Sequence, residues 1–213
     1  MNCCSEETPE EAFNYQEALI EAQKEIFKED TGLNLYEIKE EERPLVIPPE
    51  WEITKRLKKK KLTAEELLDR YTKGERKFRY VDLSGADLRG KDLREADFMN
   101  SDLSHINFRD ANLTKACFTG AILQDANFTD ANLKDALFFC AYLRDAIFHH
   151  TNLKNANFEH ANLTDAYLFQ ADLTKANFRL ADLTGAVLLH AKLKKTKLPV
   201  CDITIKVGGI IEW

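Results

Sequence analysis

Residues 121–145 read AILQD ANFTD ANLKD ALFFC AYLRD, and the register of these five pentads decides the fold. Each opens on Ala and carries a Leu or Phe in its third place, preceded by Asn in two of the five and by Asp or Asn in most repeats of the chain. The pattern runs outward in both directions. A Leu or Phe stands at every fifth position from Phe78 to Leu198, and Ile203 closes a series of 26 pentapeptides. A helix of period 3.6 or a strand of period 2 scatters every fifth residue around its axis, so neither can bury this series. A coil that turns a corner every five residues can, and a short fixed internal period is the mark of a solenoid.

The larger residues give the number of sides. Phe98, Phe118, Phe138, Phe158 and Phe178 recur every twenty positions with Phe78 ahead of them, and Phe108, Phe128 and Phe148 lie ten residues out of phase. Leu fills the two series between. Four pentapeptides per rung make about 6.5 rungs, and at a strand spacing of ~4.8 Å the rod is about 31 Å long. Wall one then carries Phe78, wall two Leu83, wall three Leu88 and wall four Leu93, each with its successors twenty residues on. Burying each Leu or Phe contributes about 1.5–3 kcal/mol, and the Ala two places earlier leaves the volume those neighbours need.

Long runs of Ala-Asp/Asn-Leu-x-x resemble the pentapeptide repeat family. The resemblance covers 126 of 213 residues. It implies an all-β solenoid, a right-handed quadrilateral β-helix, with the Leu/Phe and the residue two before it inward and the other three outward. The lead-in LLDRYTKGERKF, residues 67–78, is similar to the segment ahead of the repeats in many cyanobacterial members. Members differ in function, so the family predicts a fold more than a task.

Both open ends of a solenoid need caps. Thr63-Ala64-Glu65-Glu66 is a capping box, followed by Leu67, Leu68 and Tyr71 on one helical face and stopped by Gly74, which predicts a short helix over the first rung. Upstream, Thr8-Pro9-Glu10-Glu11 opens a second helix to about residue 30. Its apolar face, with Phe13, Tyr15, Leu19, Ile20, Ile26 and Phe27, is a candidate docking face. The expected division is 1–50 for an acidic helix and extended linker, 51–76 for the basic run and capping helix, 77–205 for the β-helix, and 206–213 for a carboxy-terminal cap.

Net charge is -6, unevenly spread. Residues 1–50 hold 14 acidic against 4 basic side chains, residues 51–75 hold 5 against 8, and residues 76–204 hold 16 against 17. The repeat body is therefore nearly neutral. No stretch of 18 apolar residues exists and the amino terminus lacks signal-peptide features, so the expectation is a cytoplasmic protein with no membrane insertion. Five cysteines, at 3, 4, 117, 140 and 201, show no metal-finger spacing and are expected as free thiols.

Catalysis needs converging groups, and the walls of a filled solenoid offer rows. No triad, phosphate loop or metal-finger spacing is present, so no enzyme, cofactor or small-molecule substrate is expected. His150 and His190 share a corner column two rungs apart, about 9–10 Å, too far to hold one zinc ion at ligand distances of ~2.0–2.1 Å. They and His149 read as surface histidines. Asp125, Asp145 and Asp165 stack in another corner column, where solvent, a cation or a basic partner relieves their repulsion. The run from Lys55 to Lys61 has the density of a nucleic-acid or anionic-membrane contact, and reads as solvated or paired within the chain.

The most informative feature is a break in the outward pattern. Ile147, Tyr167, Phe169, Val187 and Leu189 flank the core residues of wall three where other walls carry polar side chains. Leu137 and Phe139 do so on wall one, and Ile122 and Tyr142 on wall two. Water disfavours such a surface, so the amino-terminal helix, a second copy or a different protein is expected to cover it. The expected function is a non-enzymatic protein–protein interaction module or scaffold, with an unknown protein partner or self-association. A DNA mimic that binds a type II topoisomerase, as some members of the resembled family do, requires a strongly acidic rod, and this body is not one. Nucleic acid is an unexpected partner and a metal-dependent enzyme a remote alternative.

Overall fold

The structure is a computed structural model that describes residues 59–199. The chain divides into two compact units, Met1–Pro48 and Pro49–Trp213, and the described residues belong to the second. The expected helix to residue 30, its docking face and the cap over 206–213 lie outside them.

The fold is a quadrilateral β-helix built from single parallel bridges. Lys77 pairs with Asp97, Asp82 with Asp102, Asp87 with Asn107 and Asp92 with Asn112, and so on in steps of five to Asn177 with Lys197. Every partner is twenty residues away, which establishes four pentapeptides per rung. Regular strand is scarce because each wall spends only one bridging residue before the chain turns.

The backbone hydrogen bonds close almost completely within one pentapeptide plan, as buried backbone must. In the pentad around Leu83, Leu83 N–H donates to Asp102 O at 2.8 Å and Gly85 N–H to Ser104 O at 2.8 Å. Ala86 N–H turns the corner by donating to Leu83 O at 3.0 Å, and Asp102 N–H donates back to Val81 O at 2.8 Å. The N–H of Ser84 is left over, and the Asp82 side chain accepts it through Oδ1 at 2.9 Å. This local Asx turn explains why Asp or Asn precedes the core residue. Asn127 serves Thr129, Asn162 serves Thr164 and Asp182 serves Thr184 in the same way, each at 2.9 Å.

The corner residue two places after each core residue has a positive φ, from Tyr80 at 55° to Lys195 at 58°. Gly occupies four of these corners, and Asp and Asn, which tolerate the left-handed region, take eight of the others. The fold holds even Leu180 there, at 57°.

The interior is filled. The nine core phenylalanines from Phe78 to Phe178 and the inward alanines of the middle rungs are buried. Phe rings stack along wall one, tightening from 5.9 Å between Phe78 and Phe98 to 4.6 Å between Phe158 and Phe178. Wall three answers with Phe128 over Phe148 at 4.9 Å. The two columns meet edge-on across the core, as Phe138 and Phe148 do at 6.0 Å and 89°.

Ser101 departs from the inward Ala and is fully buried. Its hydroxyl accepts from Val81 N–H at 3.2 Å and donates to Phe78 O at 2.9 Å, inserting into a corner that elsewhere closes directly. Thr151, also buried, donates to Phe128 O at 2.8 Å.

The amino-terminal end is closed by helix α1, Ala64–Thr72. Its capping box forms as the sequence predicts: Glu66 N–H donates to Thr63 Oγ1 at 3.1 Å and Thr63 N–H to Glu66 Oε2 at 2.8 Å. Leu67 is buried against the core, Tyr71 Oη donates to Arg94 O at 2.9 Å, and Gly74 takes a φ of 93° beyond the helix end. The β ladder reaches back beyond the expected start near residue 77. Strand β1, Lys60–Lys61, pairs in parallel with strand β2, Val81–Asp82. Leu62 follows into the core. The last two residues of the basic run thus extend wall two.

Candidate docking surfaces on the solenoid walls

An outward residue just before the core position has two duties, to face water and to accept the stray N–H two residues on. Ile122, Leu137, Tyr142, Ile147, Tyr167 and Val187 have no oxygen placed to do the second. Each therefore forfeits the Asx turn as well as exposing apolar surface. Two independent costs at the same positions mark them as more than drift in a surface pattern.

The ladder separates these residues. Ile147 bridges to Tyr167 and Tyr167 to Val187, so three consecutive rungs of wall three carry an apolar column. Phe169 and Leu189, just past the core residues on the same wall, stand beside it. Ile122 bridges to Tyr142 on wall two, whereas Leu137 lies on wall one between Cys117 and Asn157, with Phe139 on that wall too. Walls one and three are opposite sides of the rod, so the nine residues divide into a wall-three cluster of five and smaller patches elsewhere. Tyr167 and Leu137 are each 43% exposed. Leu180, 47% exposed at a corner of wall one, is an apolar residue that the flanking-position reading passed over.

The structure adds histidines to the wall-three cluster. The Phe169 ring lies 5.8 Å from His149, 5.7 Å from His150 and 5.8 Å from His190, and His149 stacks on Tyr167 at 6.3 Å. His150 and His190, two rungs apart, thus meet the same aromatic ring. Burial beside these rings, and the neighbouring His150, hold the His149 imidazole below the ordinary histidine value. Phe139 on wall one meets His160 at 5.5 Å. Among the described residues no group of three His, Cys, Asp or Glu side chains is placed to hold a metal ion. No described helix is long and apolar enough to cross a membrane.

Charge is sorted by wall. Wall two and the corner after it carry six aspartates, Asp82, Asp102, Asp125, Asp145, Asp165 and Asp182, against Arg144 and the Lys60 and Lys61 of strand β1, a net -3. Wall four and its corner carry nine lysines and arginines against Asp92, Glu95, Asp135 and Asp172, a net +5. Near-neutrality of the repeat body is thus the sum of two opposed faces. Some charges pair within their own wall: Arg94 with Asp92 at 2.7 Å, Lys154 with Asp172 at 3.3 Å, and Arg144 with Asp145 at 3.3 Å. Lys194 and Lys195 make no ion pair among the described residues.

The pentapeptide repeat region model matches residues 76–139, and the model of eight pentapeptide copies matches 126–165 and 161–198. No curated protein matches the sequence. Among solved structures the chain is similar to HetL of the cyanobacterium Nostoc sp. strain PCC 7120, a pentapeptide repeat protein involved in heterocyst differentiation regulation. Identity is 28%, over 63% of this chain and 70% of that one, with a TM-score of 0.41. It is similar to Rfr23 of the cyanobacterium Cyanothece 51142 at 22% identity, over 68% and 96%, with a TM-score of 0.36. It is also similar to QnrB1, a plasmid-mediated fluoroquinolone resistance protein, at 18% identity, over 62% and 81%, with a TM-score of 0.39.

Proposed function

Because the chain belongs to the pentapeptide repeat family, we propose that it is a non-enzymatic protein-interaction module whose docking face is wall three of the β-helix. One observation carries this reading: Ile147, Tyr167 and Val187 replace the Asx-turn residue on three consecutive rungs, with Phe169 and Leu189 beside them. The pentads centred on Phe148, Leu168 and Leu188 contain no charged residue, so a partner docking there desolvates no ion. Aromatic side chains clustered on a rigid face have the character of binding hot spots. A core packed with Phe and Leu leaves any reaction to a flat outer wall, which favours binding over turnover.

The DNA-mimic reading is disfavoured by the charge distribution, since a rod imitating a duplex would not carry a +5 wall. The proposed docking face is tested by placing a photo-crosslinking phenylalanine derivative at Tyr167 or, as control, at Lys154 on wall four, in the full chain in its native cells. A discrete adduct from the Tyr167 position, lost when Phe169 becomes Asp, is the expected result. Identical adducts from both positions, or none from Tyr167, would reject wall three as the docking face.

A further inference from the structure

The opposition of walls two and four reaches beyond any use of wall three. We infer that the rod associates side by side with further copies of this chain, wall two of one copy against wall four of the next. The charges are opposite, -3 and +5, on walls that face away from each other. They are also commensurate. Asp125, Asp145 and Asp165 repeat at the rung spacing along wall two's corner, and Lys134 and Lys154 at the same spacing on wall four, with Lys194 two rungs on. A second copy of this β-helix presents carboxylates at the pitch of those lysines, because one ladder sets both columns. The groups reach solvent, with the Lys134 and Lys154 side chains 50% and 48% exposed and those of Asp125 and Asp145 39% and 36%, so a second copy competes only with the exposed pairs each makes on its own wall.

Two consequences follow from the geometry. The contact is heterologous, so it leaves a free acidic wall at one side and a free basic wall at the other, and growth is open-ended rather than closed at a dimer. A single wall about 31 Å long offers far less than the ~800 Å² per partner of a standard stable interface, and its charges face solvent. Association is therefore weak and falls with salt as the Debye length shortens from ~30 Å at 0.01 M to ~3 Å at 1 M.

Sedimentation of the full chain tests this. At roughly 0.01 M salt the weight-average mass is expected to rise progressively with concentration past that of a dimer, and to return to the monomer at roughly 0.5 M. Two charge-reversed chains sharpen the test. In one, Lys134, Lys154 and Lys194 become Glu, a residue the fold already accepts at the equivalent place, Glu159. In the other, Asp125, Asp145 and Asp165 become Lys, a residue already held at positive φ in Lys115, Lys175 and Lys195. Each variant alone is expected to stay monomeric at low salt, and an equimolar mixture to associate again, while Tyr167→Asp leaves association unchanged. A wild-type chain that remains monomeric at low salt, stops at a closed dimer, or associates equally well in either variant alone overturns the inference. Circular dichroism of both variants establishes that they are folded.

Discussion

Asn127 and Ile147 are bridged neighbours in one ladder, yet only the first completes its turn. The Asn127 side chain accepts from Thr129 N–H at 2.9 Å, whereas Ile147 has no oxygen to offer His149. The third wall changes character between these two residues, from a capped polar surface to an apolar one.

If apolarity there serves binding rather than folding, restoring the cap is harmless to the isolated chain. Ile147→Asn and Tyr167→Asn are each expected to change unfolding free energy by no more than about 1 kcal/mol, with a bias toward stabilisation because a hydrogen bond worth ~0.5–1.5 kcal/mol is regained. Binding of an apolar dye should fall in the same variants. A loss of ~2 kcal/mol or more in chemical denaturation would make these side chains structural.

Gly85 and Gly185 sit at equivalent corners with φ of 71° and 73°, but only the second is crowded. A β-carbon at Gly85 meets nothing within 4 Å, whereas at Gly185 it lies 2.2 Å from Asp165 Oδ1. Gly85→Ala is expected to cost about 1–2 kcal/mol from the left-handed backbone alone. Gly185→Ala costs more, and adding Asp165→Ala returns it to the Gly85→Ala level. Equal losses in the two single variants, measured by urea denaturation, would contradict this.

Ser101→Ala removes the hydroxyl that joins Val81 N–H to Phe78 O. Leaving a buried donor and acceptor apart costs ~1–3 kcal/mol, although Ala is the commonest residue at this position of the repeat. Thermal unfolding indistinguishable from the parent would mean that the corner closes directly once the hydroxyl is gone.

Acid should weaken the solenoid through its Asx turns. Burial pushes the Asp172 carboxyl up, but hydrogen bonds from the hydroxyl and N–H of Thr174, and from Lys154, outweigh it and hold the carboxyl below its ordinary range. The Thr184 hydroxyl and N–H lower Asp182 likewise. A carboxyl depressed on folding contributes stability that is complete above its unfolded value, ~3.9, and lost as pH falls through the lower folded value. Below about pH 4 the chain is expected to lose stability with a slope that flattens in Asp172→Asn/Asp182→Asn. That variant keeps the oxygen acceptor without the ionisation. An unchanged slope in acid titrations followed by circular dichroism would remove these turns from the account.

The five-residue period of Leu and Phe settled the fold, because no other backbone path keeps every fifth side chain inside. Thr63 and Glu66 likewise announced their helix, since a capping box depends on residues three apart. Segment composition concealed what depends on position modulo twenty: it averaged an acidic wall against a basic one. The meeting of His149, His150 and His190 at Phe169, the hydroxyl of Ser101 inside a corner twenty residues away, and the strand made by Lys60 and Lys61 were decided by the tertiary structure. Each is a contact between residues distant in the chain, and only the closure of successive rungs through the β ladder sets its geometry.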